Sequence, residues 1–251
     1  MGSASTQDGA GAGRADPLYG QNQSGDSAPK SWRSPFSDVS ERNWFFSDVE
    51  FVYKNGLFQG ASDTEFEPEA PMTRAMAVAV LYRAAGSPDT PEPENPFTDI
   101  KARAYYYSPV AWAAANGIIV GVGDGLFDPG AQITREQLAT IMHRYAAYQG
   151  KPFPPLADGL SQKDALRGAL SGLFTDATTI AAYAYEPVYV LARAGILQGD
   201  EAKRFNPKTP ASRAQAAAVL RRFIGTSLVS QESATQKKQV VSFSRVHATS
   251  N

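Results

Sequence analysis

Three arginines in this sequence hold the same position in a repeated motif, each at the predicted start of a helix. They are Arg74 in MTRAM, Arg135 in ITREQ and Arg213 in ASRAQ. A cation in the first turn of a helix opposes the helix macrodipole, so local stability does not favour it. A guanidinium beside free helix N–H groups is, however, a good receptor for a carboxylate. The pattern favours three anion sites over the alternative, in which each arginine pairs with a carboxylate of a neighbouring repeat such as Asp38 or Asp99.

Each arginine closes a longer unit that occurs three times along the chain. An aspartate, two glycines, a phenylalanine and a proline precede the arginine at nearly constant spacing in every copy. Units of this size cannot bury their apolar face alone, so neighbouring copies must stack on one another. We therefore expect the three copies to form one body.

Two helices are predicted in each copy. The first helix runs to Gly56, Gly117 or Gly195, where a left-handed helix end favours glycine. The second helix opens with a cap, for example Thr134 and Gln137 as a capping box. It continues with an apolar stripe at helical spacing, which in the second copy consists of Leu138, Ile141, Met142 and Tyr145. The sequence therefore predicts a mainly α-helical fold.

Bulk composition excludes several classes of function. The chain has 251 residues, of which 43% are hydrophobic and 20% charged, as in a globular protein with a real core. A net charge of −1 gives no electrostatic footprint for nucleic acid, and no apolar run is long enough to cross a membrane. The chain has no cysteine and only two histidines, His143 and His247, with no zinc or triad pattern. Asp124, Asp128 and Glu136 lack the alternating spacing of a calcium loop. We expect no metal, no cofactor, no nucleic-acid partner and no membrane insertion.

Composition also sets the predicted boundaries. Residues 1–33 are rich in Gly, Ser, Ala and Gln and are interpreted as a disordered linker. The three repeats are assigned to residues 34–95, 96–150 and 173–225. Between the last two lies an insertion, 151–172, in which Ser161 caps a short helix carrying Leu166, Leu170 and Leu173. Residues 226–251 are interpreted as a polar tail, with a short strand as the alternative, and we expect the fragment to be monomeric.

Taken together, these motifs resemble the S-layer homology domain. The resemblance covers about residues 35–225 and is carried by Phe-x-Asp, by Gly-x-x-x-Gly with a Phe-x-Pro loop, and by Thr-Arg-Ala-Glu/Gln at the second helix. It implies three helix–loop–helix repeats packed as a pseudo-threefold, three-pronged spindle around a central helix bundle. It also implies a secreted, non-catalytic module at the bacterial cell wall or S-layer surface. Its ligand would be secondary cell-wall polysaccharide, typically a pyruvylated amino sugar, held in grooves between repeats. We expect any export signal to lie outside this sequence.

The resemblance gives the repeated positions candidate roles in sugar binding. The arginines would hold the ligand carboxylate, the aromatic residues could pack on sugar faces, and the aspartates could accept hydrogen bonds from hydroxyl groups. Each position also has a structural interpretation: aromatic residues as core, aspartates as caps and glycines as turns. The predicted carbohydrate-binding residues are Arg74, Arg135, Arg213, Asp38, Asp99, Asp176, Trp44, Tyr105, Tyr183, Gly60, Gly121 and Gly199.

The three copies are not equal. The first copy has Met76 where the family has Glu or Gln, and the third has Ser212 for Thr. Only the second copy keeps every element, so we expect Arg135→Ala to weaken binding most while barely changing the folding.

Two other functions stay open on the sequence alone. One is a protein-interaction or S-layer lattice module without sugar binding. A glycan-active enzyme is less favoured, because no pair of carboxylates is marked as a glycosidase dyad.

Overall fold

The computed structural model describes residues 32–89, 95–157 and 159–226. The proposed tail, including its possible strand, and nearly all of the proposed linker lie outside these residues. Trp32 is an exception, because it is buried against Phe46 with ring centroids 5.0 Å apart. The ordered body of the first repeat therefore begins by residue 32, earlier than the predicted boundary.

The regular elements of the described residues are helices, and pairing between extended residues is confined to isolated bridges. The mainly α fold is thus confirmed. Repeat 1 contains α1 (Phe46–Lys54) and α2 (Arg74–Ala84), and repeat 2 contains α3 (Tyr107–Ala115) and α4 (Arg135–Tyr148). The insertion contains α5 (Lys163–Ser171). Repeat 3 contains two single 3₁₀ turns (Ala177–Thr179 and Ala182–Ala184), then α6 (Tyr185–Arg193) and α7 (213–226).

The second helices start as their sequences predict. Thr134 accepts a hydrogen bond from the backbone N–H of Gln137, whose side chain accepts one from Thr134 in return. Ser212 and Gln215 make the same reciprocal pair. In repeat 1 Thr73 caps the helix, but Met76 has no side-chain acceptor with which to complete the box. The apolar stripe of α4 is buried along its length, which confirms the predicted period.

The first helices end at left-handed glycines, with φ of +65° at Gly56, +67° at Gly117 and +73° at Gly195. Their starts differ from the prediction, because α1, α3 and α6 have no side-chain cap. The Phe-x-Asp aspartates do not cap these helices. They bind the loop that follows the helix instead.

The three repeats close into a ring at the starts of the second helices. The N–H of Met72 donates to the carbonyl of Ala211 (2.8 Å), Ala211 to Ile133 (2.9 Å), and Ile133 to Met72 (2.9 Å). Each repeat gives one hydrogen bond and receives one, so the ring is complete only when all three repeats are present. This ring defines the pseudo-threefold arrangement.

Each second helix packs on the first helix of the next repeat. Helix α2 lies on α3, with the rings of Tyr82 and Trp112 5.4 Å apart, and α4 lies on α6. Helix α7 returns to α1, where Arg221 Nη1 is 3.1 Å from the carboxylate of Asp48. Most of the buried apolar residues of the three repeats belong to one continuous core.

The insertion is attached to repeats 2 and 3. Leu166 and Leu170 of α5 are buried, and α5 packs on α6. The ring of Phe153 stacks on His143 of α4 at 5.8 Å. The predicted cap at Ser161 is wrong, because Gln162 is the N-cap residue and its side chain makes no cap hydrogen bond.

Candidate functional site

The repeated arginines bridge the repeats. Arg74 Nε donates to the carbonyl of Phe127 (2.9 Å) and its Nη2 to that of Val120 (3.2 Å), both in the loop of repeat 2. The guanidinium also lies over the Phe127 ring, 4.6 Å from its centroid. Arg135 makes the equivalent hydrogen bonds to the carbonyls of Phe205 and Gln198 in repeat 3. Arg213 makes them to the carbonyls of Phe66 and Gln59 in repeat 1. Each repeat therefore holds the loop of the next.

The helix N–H groups beside these arginines are not free, as the anion-site prediction assumed. The N–H of Arg74 donates to the carbonyl of Ala131 (2.9 Å), and that of Ala75 to Pro129 (3.2 Å). The other two helices repeat these bonds to the next loop. The alternative prediction, an ion pair with a carboxylate of the neighbouring repeat, is also wrong. No carboxylate of the described residues lies within 4.0 Å of the three guanidinium groups. Carbonyl oxygens, and not carboxylates, orient the arginines.

The aspartates hold the loop of their own repeat. Both oxygens of Asp99 accept backbone N–H groups, from Phe127 (3.0 Å) and from Asp128 (2.7 Å). Asp128 has a φ of +57°, so the carboxylate fixes a residue in a left-handed conformation. Asp38 and Asp176 bind their loops in the same way.

The second glycine of each repeat is required by this loop. A Cβ on Gly121 would lie 2.5 Å from the carbonyl oxygen of Leu126 and 2.9 Å from the Phe97 ring. Gly60 and Gly199 are crowded by the same parts of their own loops. The close approach that requires glycine here is therefore to the protein's own backbone.

The matched aromatic residues lie near the second helix of the preceding repeat. Trp44 packs on Ala218 of α7, and Tyr105 lies beside Thr73 at the start of α2. Tyr183 donates its hydroxyl to Glu136 Oε1 of α4 (2.9 Å) while 53% of the residue stays exposed. Burial and the bond to Glu136 raise the pKa of Tyr183. The hydroxyl is thus held protonated, with the ring fixed at the surface.

Glu136 is not among the site residues predicted from the sequence, where its only weighed role is in a calcium loop. It is 2% exposed and accepts hydrogen bonds from the backbone of Ala181, from Tyr183 and from Lys208. The equivalent residues in the other repeats are Ala75 and Ala214. A charged residue at a position that is alanine elsewhere was the signal that could have marked it.

Residues of all three repeats meet in one open cavity of about 450 Å³, which we call the Arg74 groove. Arg74 comes from repeat 1, Gly121 and Phe127 from the loop of repeat 2, and Tyr183 from repeat 3. Gln137, Thr140 and Arg144 of α4 complete its polar lining. The structure therefore brings together three predicted site residues that belong to different copies.

The other two arginines are more enclosed. Arg135 is 3% exposed, and its Nη1 donates to Gln215 Oε1 at 3.4 Å. Arg213 is 8% exposed and makes the same two bonds to loop carbonyls as Arg74. Sugar binding by Arg135 stays a prediction, whereas the expectation that it contributes little to folding conflicts with its burial.

Charge in the Arg74 groove is incompletely balanced. Burial lowers the pKa of Arg74, an effect opposed by Asp128, Tyr183 and Asp99.

The described residues contain no group of acidic, histidine or cysteine side chains that could hold a metal ion. No helix in the described part of the chain is long and apolar enough to cross a membrane.

Comparison with known proteins agrees with this architecture. The sequence matches the S-layer homology domain at residues 35–77, 96–139 and 173–217, which together make up more than half of the chain. The chain belongs to the S-layer homology family, and the predicted three tandem repeats are confirmed.

Similar proteins include enzymes and surface proteins. The chain is 31% identical to an endoglucanase of Bacillus sp. (strain KSM-635) over 76% of its length, and 29% identical to the surface-layer 125 kDa protein of Lysinibacillus sphaericus over 70%. It is 23% identical over 77% of its length to a cellulosome-anchoring protein of Acetivibrio thermocellus. The matches span only 19%, 14% and 39% of these proteins.

Proposed function

We propose that this chain is a non-catalytic anchoring module that binds pyruvylated secondary cell-wall polysaccharide and tethers a secreted protein to the bacterial surface. The observation that carries the proposal is the environment of the Arg74 guanidinium. This group is half-buried in an open cavity, with no carboxylate of the described residues in ion-pair range.

Arg74 has donor capacity left for a ligand. Nε and Nη2 are oriented by the carbonyls of Phe127 and Val120, while no described residue accepts a hydrogen bond from Nη1. A guanidinium held rigidly in this way loses little side-chain entropy when an anion binds. The carboxylate of a pyruvate ketal has the charge and the two oxygens that such a donor favours.

The rest of the groove suits a sugar. Its volume falls in the range of small-molecule sites, and it combines apolar walls with a few polar groups. Tyr183 is fixed through its hydroxyl, so its ring can offer an apolar surface to C–H groups. Gln137 and Thr140 of α4 add polar groups to the same cavity.

The relatives support anchoring over catalysis. The same region is shared by a protein named endoglucanase and by a protein named for the surface layer, and it covers a small part of each. A module common to proteins with such different names is better explained by attachment than by a shared reaction.

One observation favours the alternative, a lattice module that binds protein. Val120 and Val122, at the rim of the Arg74 groove, are 60% and 54% exposed. Exposed apolar side chains beside a cavity are also typical of a protein contact.

Sedimentation with purified cell wall separates the two functions. We expect the chain to sediment with intact wall and to stay in solution after the pyruvate groups have been removed by mild acid. Equal sedimentation before and after this treatment would contradict the proposed function. Self-association without wall material would favour the lattice module.

A further inference from the structure

A second cavity, of about 590 Å³, adjoins the Arg74 groove, and we call it the insertion cleft. Its walls come from α4, from the insertion and from the start of α6, including His143, Lys163, Leu166 and Glu186. Thr140, Arg144 and Tyr183 line both cavities. The insertion cleft thus continues the Arg74 groove past a shared boundary.

The insertion holds this cleft in shape from two sides. Phe153 stacks on His143 of α4 with the ring planes 10° apart, and Leu166 and Leu170 fix α5 on α6. Because both walls are packed on the core of the molecule, little conformational entropy would be lost in ordering them when a ligand binds. The insertion occurs between repeats 2 and 3 alone, so the other repeat boundaries have no counterpart.

The charges of the cleft are unequal. Arg144 stands at the boundary with the Arg74 groove and Lys163 at the first residue of α5, and neither has an ion-pair partner among the described residues. Glu186 is the one acidic side chain among the described residues of the lining. Burial lowers the pKa of His143, which leaves that ring neutral at pH 7. Among the described residues of the lining, the net charge is therefore positive, which suits an acidic ligand.

We propose that the insertion cleft accepts a second unit of the same acidic polysaccharide strand whose first unit lies in the Arg74 groove. This inference rests on the proposed function of the Arg74 groove. Arg144 lies between the two units and Lys163 faces the second. The chain then selects saccharides with negative charge on successive units.

Titration calorimetry on the full chain tests this with two probes. One is the methyl glycoside of a pyruvylated N-acetyl amino sugar, and the other is a disaccharide in which a uronic acid is joined to that unit. Two charge reversals on α5 provide the comparison: Lys163, which lines the cleft, and Arg167, four residues on, which does not. Both residues are exposed, so both variants should fold.

We expect the disaccharide to bind more tightly than the monosaccharide. Lys163→Glu should weaken disaccharide binding about two- to tenfold and leave monosaccharide binding unchanged, since it alters a charge at the rim of the site. Arg167→Glu should change neither.

Other outcomes overturn the inference. If the two probes bind equally well to the unmodified chain, the cleft holds no second unit, and the proposed function of the Arg74 groove still stands. The inference also fails if Lys163→Glu has no effect, or the same effect as Arg167→Glu. If neither probe binds, the proposed function fails and takes the inference with it.

Discussion

Arg74, Arg135 and Arg213 make the same pair of hydrogen bonds to the next repeat, yet their remaining N–H groups meet different surroundings. Gln215 accepts from Nη1 of Arg135, whereas no described residue accepts from Nη1 of Arg74. One residue type thus provides a bridge between repeats in all three copies and, under the proposed function, a receptor for an anion where the groove stays open.

Arg74→Ala and Arg135→Ala should separate these two roles. Each variant removes two hydrogen bonds to loop carbonyls and should lower the free energy of unfolding by about 1–3 kcal/mol. Only Arg74→Ala should also lower the binding free energy for the pyruvylated monosaccharide, by about 2–5 kcal/mol. Arg74→Lys should recover part of the affinity, because a point charge cannot make two parallel hydrogen bonds.

Calorimetric titration and thermal melting of the same samples give both quantities. Loss of binding in Arg135→Ala, with Arg74→Ala unaffected, would remove the Arg74 groove from the site and restore the ranking expected from the sequence.

At the scale of the elements, the loop after each first helix is shaped by contacts within its own repeat and presented to the preceding arginine. Asp99 holds the loop of repeat 2 by accepting two of its backbone N–H groups. The Phe97 ring packs against the Phe127 ring, with the ring centroids 5.5 Å apart. The carbonyl of Phe127 is thereby pointed at Arg74. Loop shape and groove shape are therefore coupled.

Gly121→Ala tests this coupling. The added methyl group meets the Leu126 carbonyl oxygen at 2.5 Å, so the loop must shift. We expect a loss of about 1–3 kcal/mol in the free energy of unfolding and weaker binding at Arg74. Gly130→Ala, at a position where a Cβ meets nothing within 4 Å, is the control and should change melting by much less. Equal melting of the two variants would show that the loop relaxes freely.

The contact between α4 and the insertion should depend on pH. Burial lowers the pKa of His143, so the folded state binds its proton less readily than the unfolded chain does. This contribution to stability is present above the unfolded pKa of about 6.5 and is lost as pH falls towards the lower folded pKa.

His143→Gln has no such proton, so the melting temperature of the original chain should fall more than that of the variant between pH 7.5 and pH 5. Parallel changes in the two proteins would mean that protonation of His143 does not oppose folding.

At the scale of the whole molecule, the repeats are linked in a cycle that no single repeat can complete. The backbone ring of Met72, Ile133 and Ala211 needs all three copies, as does the cycle of arginines over loop phenylalanines. Such mutual dependence predicts one cooperative unfolding transition.

A fragment that ends at Gly150 should therefore lose the helical structure of repeats 1 and 2 as well as the deleted repeat 3. It lacks Phe205 and Gln198, which bind Arg135, and Ala211, which binds Met72. We expect low helicity by circular dichroism and no sharp melting transition. A fragment with native-like helicity and its own sharp transition would show that the ring is not required for folding.

The sequence by itself determined the elements and their repetition. The period of the apolar stripe, the cap at Thr134 and the glycine at position 117 are local signals, because each acts within a few residues along the chain. The same local patterns, found three times, were sufficient to recognise the family. Local reasoning was wrong about the aspartates, whose partners lie in a loop nearly thirty residues away in sequence.

Only the tertiary structure decided which residues share a groove. The complete motif of the second copy predicts Arg135 as the main binding residue, but the elements of that copy line the groove of Arg74. This follows from the cyclic packing, in which an arginine crosses to the next repeat and meets an aromatic residue of the one after it. A repeat that buries its surface against its neighbours shares its grooves with them, and no single copy of the motif contains that information.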